Sequence, residues 1–305
     1  MSDARNKDAA FRAGFVAVVG RPNTGKSTLV NALVQQKISI VTSKPQTTRH
    51  SILGILHRPD AQMIFVDTPG IHSGSRKLIN RTMNRTAAAS LAGADVALFV
   101  VEATRWSKED DQVVQKLRDE RIPTLLIVNK LDLLKRREDV LPVLQDYQQR
   151  GEFVEIVPIS ARQGTNLEHL LELIGERLPE SEPLFPSDTI TDRGIEFRVG
   201  EVFREKLLAT LRDEVPYGLA VEVLALEERD DMTYVDAVIW VEKESHRGIV
   251  VGRGGSQLKK VSTDARLDLE QIFERRFYVK AHVKVKENWS DNARALRQLG
   301  YEAPQ

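Results

Sequence analysis

The octapeptide Gly20–Arg21–Pro22–Asn23–Thr24–Gly25–Lys26–Ser27 constrains this chain more than any other stretch. It fits G-x-x-x-x-G-K-[ST], it ends the apolar run Gly14 to Gly20 (GFVAVVG), and it opens a helical pattern from Lys26 to Gln36. That is the context in which the pattern binds phosphate. Glycines let the loop curl so that its N–H groups face inward at a helix N-terminus. Lys26 brings positive charge to the β- and γ-phosphates, and Ser27 offers a hydroxyl to Mg²⁺. Asn23, Thr24, Gly25, Lys26, Ser27 and Thr28 together form the expected cradle.

A strand that feeds a helix through such a loop belongs to a sheet of like units. Apolar runs and helical patterns alternate up to Leu178. Strands are expected at 51–56, 62–66, 95–101, 123–128 and 153–158, and helices at 78–91, 108–120, 140–149 and 166–178. Near-continuous apolar strands between helices predict an α/β domain with a mostly parallel sheet covered on both faces. Only the short turn Arg58–Pro59–Asp60 separates 51–56 from 62–66, which predicts one antiparallel edge pair. Pro179, Pro183 and Pro186 then interrupt any regular element. The domain plan is a disordered tail over 1–12, a first domain over 13–179, a linker over 180–195 and a second domain over 196–305.

Two further elements address the same phosphate. Asp67–Thr68–Pro69–Gly70 ends a strand, so Asp67 can hold Mg²⁺ through water and the Gly70 N–H can meet the γ-phosphate. Thr47–Thr48–Arg49 lies between the first helix and the second strand. Thr48, rather than Thr47, is taken as the residue that adds a hydroxyl to Mg²⁺ and an N–H to the γ-phosphate. Ser27, Thr48 and Asp67 are the expected metal contacts, and Lys26, Thr48 and Gly70 the expected catalytic set.

The base follows from Asn129–Lys130–Leu131–Asp132, which comes after the apolar strand Leu125 to Val128. Asp132 can accept both the ring N–H and the amino group of guanine. Adenine has no such donor pair on that edge and would leave a buried carboxylate unpaired. Asn129 can donate to N7, and the Lys130 stem can lie over the base. Ser160–Ala161 follows the next strand, where the Ala161 N–H can reach the guanine oxygen. The expected ligands are GTP and GDP with Mg²⁺.

These five elements in this order resemble the GTPases of the translation-factor class over about residues 15–178. Ras-like proteins place a water-orienting glutamine after the Asp-Thr-Pro-Gly equivalent, and this chain has Ile71 there. Slow intrinsic hydrolysis is therefore expected unless another element orients the water. Asn23 resembles the asparagine that coordinates potassium in related bacterial GTPases, which implies potassium-assisted hydrolysis.

The second half opens with a helical stretch over 196–212, then alternating strands over 219–226 and 234–241. A turn at Gly252–Arg253–Gly254–Gly255 leads to a helix ending near Phe273, and a last strand covers 277–285. Lys plus Arg and Asp plus Glu number 44 each in the chain, yet Arg247 to Lys286 holds ten cations against four acids, a local +6. A G-x-x-G turn between helices lets a sugar–phosphate backbone approach, and the following helix N-terminus favours its charge. Gly252, Arg253, Gly254, Gly255, Lys259 and Lys260 are the candidate RNA contacts. The order strand, strand, helix, G-x-x-G, helix, strand resembles a KH domain of the bacterial type II topology. His169, His246 and His282 show no metal-ligand spacing and are read as structural. Trp289 and Tyr301 are expected to pack the final helix onto its own domain rather than to stack on bases.

One GTPase domain followed by one type II KH domain resembles the Era family, and GRPNTGKS, QTTRH, DTPG, NKLD, the GRGG turn and KENWSDNARALRQLGY agree with it. The resemblance implies binding to 16S rRNA near its 3′ end and a role in small-subunit (30S) assembly and 16S maturation. A constitutive KH RNA chaperone whose nucleotide is mainly structural is the alternative. No cysteine is present, which fits a reducing cytoplasm. The first ten residues lack the apolar core of a secretory signal, and no run reaches the ~18 apolar residues of a span. Composition offers nothing toward a membrane, and only the family implies peripheral contact with the inner membrane. Nothing in the sequence demands more than a monomer.

Overall fold

The structure is a computed structural model and describes residues 10–70 and 77–301. Ile71, the residue at the water-orienting position, lies outside the described residues. The chain forms two compact units. The first comprises 10–36, 51–70 and 87–192, and the second 37–50, 77–86 and 193–301.

In the first unit a six-stranded sheet has the order β2-β3-β1-β4-β5-β6. Its strands are β1 (Arg12–Val19), β2 (Ile52–His57), β3 (Ala61–Asp67), β4 (Val96–Glu102), β5 (Thr124–Asn129) and β6 (Glu155–Pro158). Every pairing is parallel except β2 with β3, the antiparallel edge pair that the short turn predicts. All residues of β3 and β5 are buried, as strands covered on both faces must be. Val19, Phe99, Val101, Leu126 and Val128 form one core layer with Val113 and Leu117 of α3 (Lys108–Glu120). Helix α1 (Lys26–Val34) buries Leu29, Val30, Leu33 and Val34. It stops two residues short of the expected Gln36 because Gln35 turns to φ 59.

Two expectations at the margins change. Arg12, assigned to the tail, is the first residue of β1, and its guanidinium donates to the Leu178 carbonyl at 2.6 Å. Part of the proline-rich stretch is bound to the first unit. The Ile55 N–H donates to the Ile190 carbonyl at 2.9 Å and the Leu53 N–H to Asp192 at 2.8 Å. Gln62, 1% exposed, accepts from the N–H groups of Leu184 and Phe185 and donates to the Phe185 carbonyl. The Leu53 and Ile55 bonds cover the open edge of β2, which would otherwise present unpaired backbone groups.

The second unit runs α6 (Ile195–Thr210), β7 (Leu219–Arg229), β8 (Met232–Val241), α7 (Glu244–Val251), α8 (Ser256–Phe273) and β9 (Arg276–Val285). The remaining α-helices among the described residues are α2 (Leu78–Ala92), α4 (Val140–Gln148), α5 (Leu167–Gly175) and α9 (Ala293–Gln298). The sheet order is β7-β8-β9, with β7 antiparallel and β9 parallel to β8. A parallel neighbour requires a crossover, and α7 and α8 supply it with the glycine turn between them. Phe203, Leu207, Val235, Ile239, Val261, Leu269 and Phe277 fill the core between helices and sheet. Trp289 is fully buried and donates its indole N–H to the Gly218 carbonyl at 3.0 Å, and Tyr301 is 6% exposed. Both rings pack within the second unit, where Tyr301 meets His50 and Trp289 clusters with Ile79, two residues that the domain plan gave to the first domain.

Candidate functional site

The C-terminal ends of β1, β3, β4 and β5 bring the phosphate and base motifs of the first unit to one sheet edge. The register Val18 opposite Asp67 places the loop after β1 beside the DTPG turn. Thr68 donates its hydroxyl to the Val18 carbonyl at 2.8 Å, and a Cβ on Gly70 would sit 3.0 Å from Pro22. The two loops are therefore in contact across β1 and β3. Asp67 is fully buried at the end of β3.

Within the phosphate loop, Asn23 has φ 64 and Gly25 φ 100. A side chain on Gly25 would also collide with the Asn129 amide, so both conformation and space demand glycine there. Lys26, 6% exposed, folds its ammonium onto the carbonyls of Gly20 and Arg21, each at 3.0 Å. Burial pushes its pKa down to about 8, against the opposing pull of Asp67. Helix α1 starts at Gly25 with no side-chain cap and no acid in its first turn. An uncapped helix start, a buried lysine and the Ser27 and Thr28 positions on the same turn are the donor set that a polyphosphate with Mg²⁺ requires.

The base motifs lock onto this loop. Asn129, 2% exposed, donates to the Thr24 carbonyl at 2.9 Å and accepts from the Ala161 N–H at 3.0 Å. Lys130, at φ 66, donates to the Asn23 carbonyl at 2.6 Å. Asp132 lies in the short helical turn Leu131–Leu133 and accepts from the Ser160 hydroxyl at 2.6 Å. Thus Asn23, Thr24, Asn129, Lys130, Asp132, Ser160 and Ala161 are one connected network, although the sequence spreads them over more than a hundred residues. Sequence reasoning missed Glu102, the last residue of β4, which takes Arg21 on one carboxylate oxygen and Lys130 on the other. An acid ending an apolar strand at the ligand edge of an α/β sheet was the available signal.

Thr48 lies in the second unit, on the segment 37–50. Lys37 pairs with Glu205 at 2.5 Å and Asp268 at 3.0 Å, and the Val41 N–H donates to Glu205 at 2.9 Å. Arg49 donates to the carbonyls of Leu219, Pro216 and Tyr217 at 2.7, 3.2 and 3.1 Å. Arg204, 1% exposed on α6, bonds to the Thr47 carbonyl and is held in a fork by Glu201 at 2.7 and 2.6 Å. The His50 ring stacks on Tyr301 at 4.4 Å, and burial pushes its pKa down to about 4. The Thr47 hydroxyl is engaged with the Lys44 carbonyl and with Thr42, both at 2.6 Å.

At the glycine turn, Gly252, Gly254 and Gly255 have φ of 73, 59 and 79. A Cβ on Gly252 would meet the backbone nitrogen of Gln257 at 2.9 Å, whereas nothing lies within 4 Å of one on Gly254 or Gly255. The turn's outer side is therefore open to an approaching backbone. Helix α8 begins with no side-chain cap and no acid in its first turn, and Lys259, Lys260 and Arg253 are exposed. His246 is buried, whereas His169 and His282 are exposed on ordinary element faces.

Comparison with known proteins finds two families along the chain. A family described as "50S ribosome-binding GTPase" matches residues 15–130, and the "KH domain" family matches 214–290. "GTPase Era" of Stenotrophomonas maltophilia (strain K279a) is 46% identical over 297 residues, which is 97% of this chain and 100% of the relative. The chain belongs to the Era GTPase family. It is a GTPase, with a P-loop GTPase domain and a KH domain. An Aquifex aeolicus Era variant bound to GDP·AlF4⁻ superimposes with a TM-score of 0.93 at 37% identity, covering 96% of this chain and all of that one. An Era complex with MgGDPNP and nucleotides 1506–1542 of 16S ribosomal RNA gives 0.93 at 38%, covering 96% and 99%. No helix among the described residues is long and apolar enough to cross a membrane.

Proposed function

We propose that this GTPase binds the 3′ region of 16S rRNA through its KH domain, acts in small-subunit assembly and 16S maturation, and sets its RNA affinity by nucleotide state. An Era relative has been solved with MgGDPNP and that RNA region, and the chain keeps the elements that each ligand needs. Asn23 to Thr28 hold the phosphates of GTP or GDP. Ser27, Thr48 and Asp67 hold Mg²⁺, and Lys26, Thr48 and the Gly70 N–H act on the γ-phosphate. Asn129, Lys130, Asp132, Ser160 and Ala161 read guanine. Gly252 to Gly255 with Lys259 and Lys260 clamp the RNA backbone. The protein works as a cytoplasmic monomer, with the inner membrane as no more than a peripheral partner.

One observation carries the switch. The segment that bears Thr48 is bonded along its length to the helix and strand that build the KH-bearing unit, through Lys37, Val41, Arg49 and the Arg204–Glu201 fork. The side-chain hydroxyl of Thr47 bonds within its own loop, to the Lys44 carbonyl and to Thr42, and Thr48 is the threonine taken here to meet the metal. A γ-phosphate that recruits Thr48 therefore pulls on this packing, and hydrolysis releases it. Linkage requires RNA to change GTP affinity by the factor by which GTP changes RNA affinity. The test is Lys26→Ala in the full chain, with RNA affinity and ribosome assembly as readouts. Assembly should fail, and added nucleotide should no longer alter RNA affinity. Intact assembly would favour the constitutive RNA chaperone.

A further inference from the structure

Two motif loops of the nucleotide site each carry a cation that meets the same carboxylate. Arg21 is the second residue of the phosphate loop, and Lys130 the second residue of NKLD. Both meet on Glu102. Arg21 Nη2 donates to Glu102 Oε2 at 2.7 Å, and Lys130 Nζ donates to Oε1. Lys130 Nζ also donates to the Asn23 carbonyl at 2.6 Å, so the base loop grips the phosphate loop through a lysine that Glu102 orients. On the other side Arg21 Nε donates at 3.1 Å to Asp110, which is fully buried and accepts from Ser107 at the start of α3.

Glu102 itself is firmly placed. It ends β4, whose other six residues are buried, and its carbonyl accepts from the Tyr147 hydroxyl at 2.9 Å. The next residue, Ala103, donates its N–H to the Asn129 carbonyl at 2.8 Å, which ties the ends of β4 and β5. Burial works to raise the Glu102 pKa, but the hydrogen bonds and charges of Lys130 and Arg21 outweigh it and keep the carboxyl below its ordinary value. Without that anion, two cations would face each other across a half-buried gap and repel. Lys130 would lose the partner that sets its stem over the base, and the carbonyl of Asn23 would lose a fixed donor.

We infer that Glu102 is a positioning residue that couples the phosphate loop to the guanine-reading loop, so that the base and the phosphates of the nucleotide are gripped or released together. The inference rests on reading these loops as the GTP site. The bland alternative is an ion pair that only steadies the fold.

Release of N-methylanthraniloyl-GDP from the full chain, chased with excess GDP, separates the two. Glu102→Ala removes charge-assisted bonds to both cations and should speed release roughly ten- to hundredfold. Lys130→Met should also speed release, and the double variant should be no faster than the faster single one, because both break the same link. Glu102→Gln keeps the volume and one acceptor, so it should fall between wild type and Glu102→Ala, and it serves if the alanine variant does not fold. Unchanged release in both Glu102 variants overturns the inference. So do rates that multiply in the double variant, or faster release that only tracks a lowered melting temperature of the nucleotide-free chain. Failure of the wild-type chain to bind the fluorescent nucleotide would instead strike the reading of the site.

Discussion

Replacing Asn129 by alanine tests whether the phosphate loop, the base loop and the Ser160–Ala161 turn are held by one side chain. Asn129 is 2% exposed, with a buried bond at 2.9 Å to the Thr24 carbonyl and another at 3.0 Å from the Ala161 N–H. Truncation leaves two buried backbone groups without partners, each costing about 1–3 kcal/mol. The local cost is thus roughly 2–6 kcal/mol, with water entering the gap setting the lower end. Amide hydrogen exchange reads it better than a global melt, because a chain of two units need not unfold in one step. The Ala161 N–H loses one of the two bonds, about 1–3 kcal/mol, so its exchange should accelerate roughly five- to hundredfold in Asn129→Ala. Asn129→Asp sharpens the test. Its carboxylate still accepts from Ala161 but turns an oxygen toward the Thr24 carbonyl. Ala161 should stay protected while nucleotide release speeds up. Unchanged Ala161 exchange in Asn129→Ala, or equal loss of protection in both variants, would refute the reasoning.

Other expectations follow from particular contacts. Arg204→Met leaves Glu201 buried without its fork and should cost the second unit about 3–5 kcal/mol, seen as a lowered transition of that unit by calorimetry, with most of the loss recovered in Glu201→Leu/Arg204→Met. Gly254→Asp puts a carboxylate where an RNA phosphate would approach; fluorescence anisotropy should show RNA affinity falling at least about tenfold while GTP hydrolysis without RNA is unchanged. If Asn23 engages potassium, phosphate release should be faster in potassium than in sodium buffer at equal ionic strength, and equal rates would remove that role.

Much of this was legible because the nucleotide motifs are contiguous. A phosphate loop needs neighbouring backbone N–H groups, so Gly20 to Ser27 had to appear as one run, and NKLD likewise. The antiparallel edge pair was legible from the three-residue turn at Arg58 to Asp60. Glu102 was not, because one acid at a strand end has no sequence partner; its cations lie 81 and 28 residues away. The Arg204–Glu201 pair reads in sequence as an ordinary exposed i,i+3 pair on a helix. The fold buries it, with Arg204 bonded to the Thr47 carbonyl and Glu201 beside His50, Val221 and Tyr301. Strand β7 runs on to Arg229, beyond the expected Leu226, because Glu227, Glu228 and Arg229 pair with Tyr234, Thr233 and Met232 of β8; exposed and without apolar alternation, they gave no sign of it in the sequence. The eight-residue helix α7, with Gly248 inside it, is too short to announce its limits by periodicity.

Nucleotide control of RNA binding is the central claim. Its most direct test is fluorescence anisotropy of a short single strand copying the 3′ end of 16S rRNA, titrated with the full chain in GDP and in a non-hydrolysable GTP analogue at fixed salt. The account predicts different affinities in the two states, with the ratio of analogue affinity to GDP affinity changed by the same factor when RNA is present. Equal RNA affinities in the two states would contradict it.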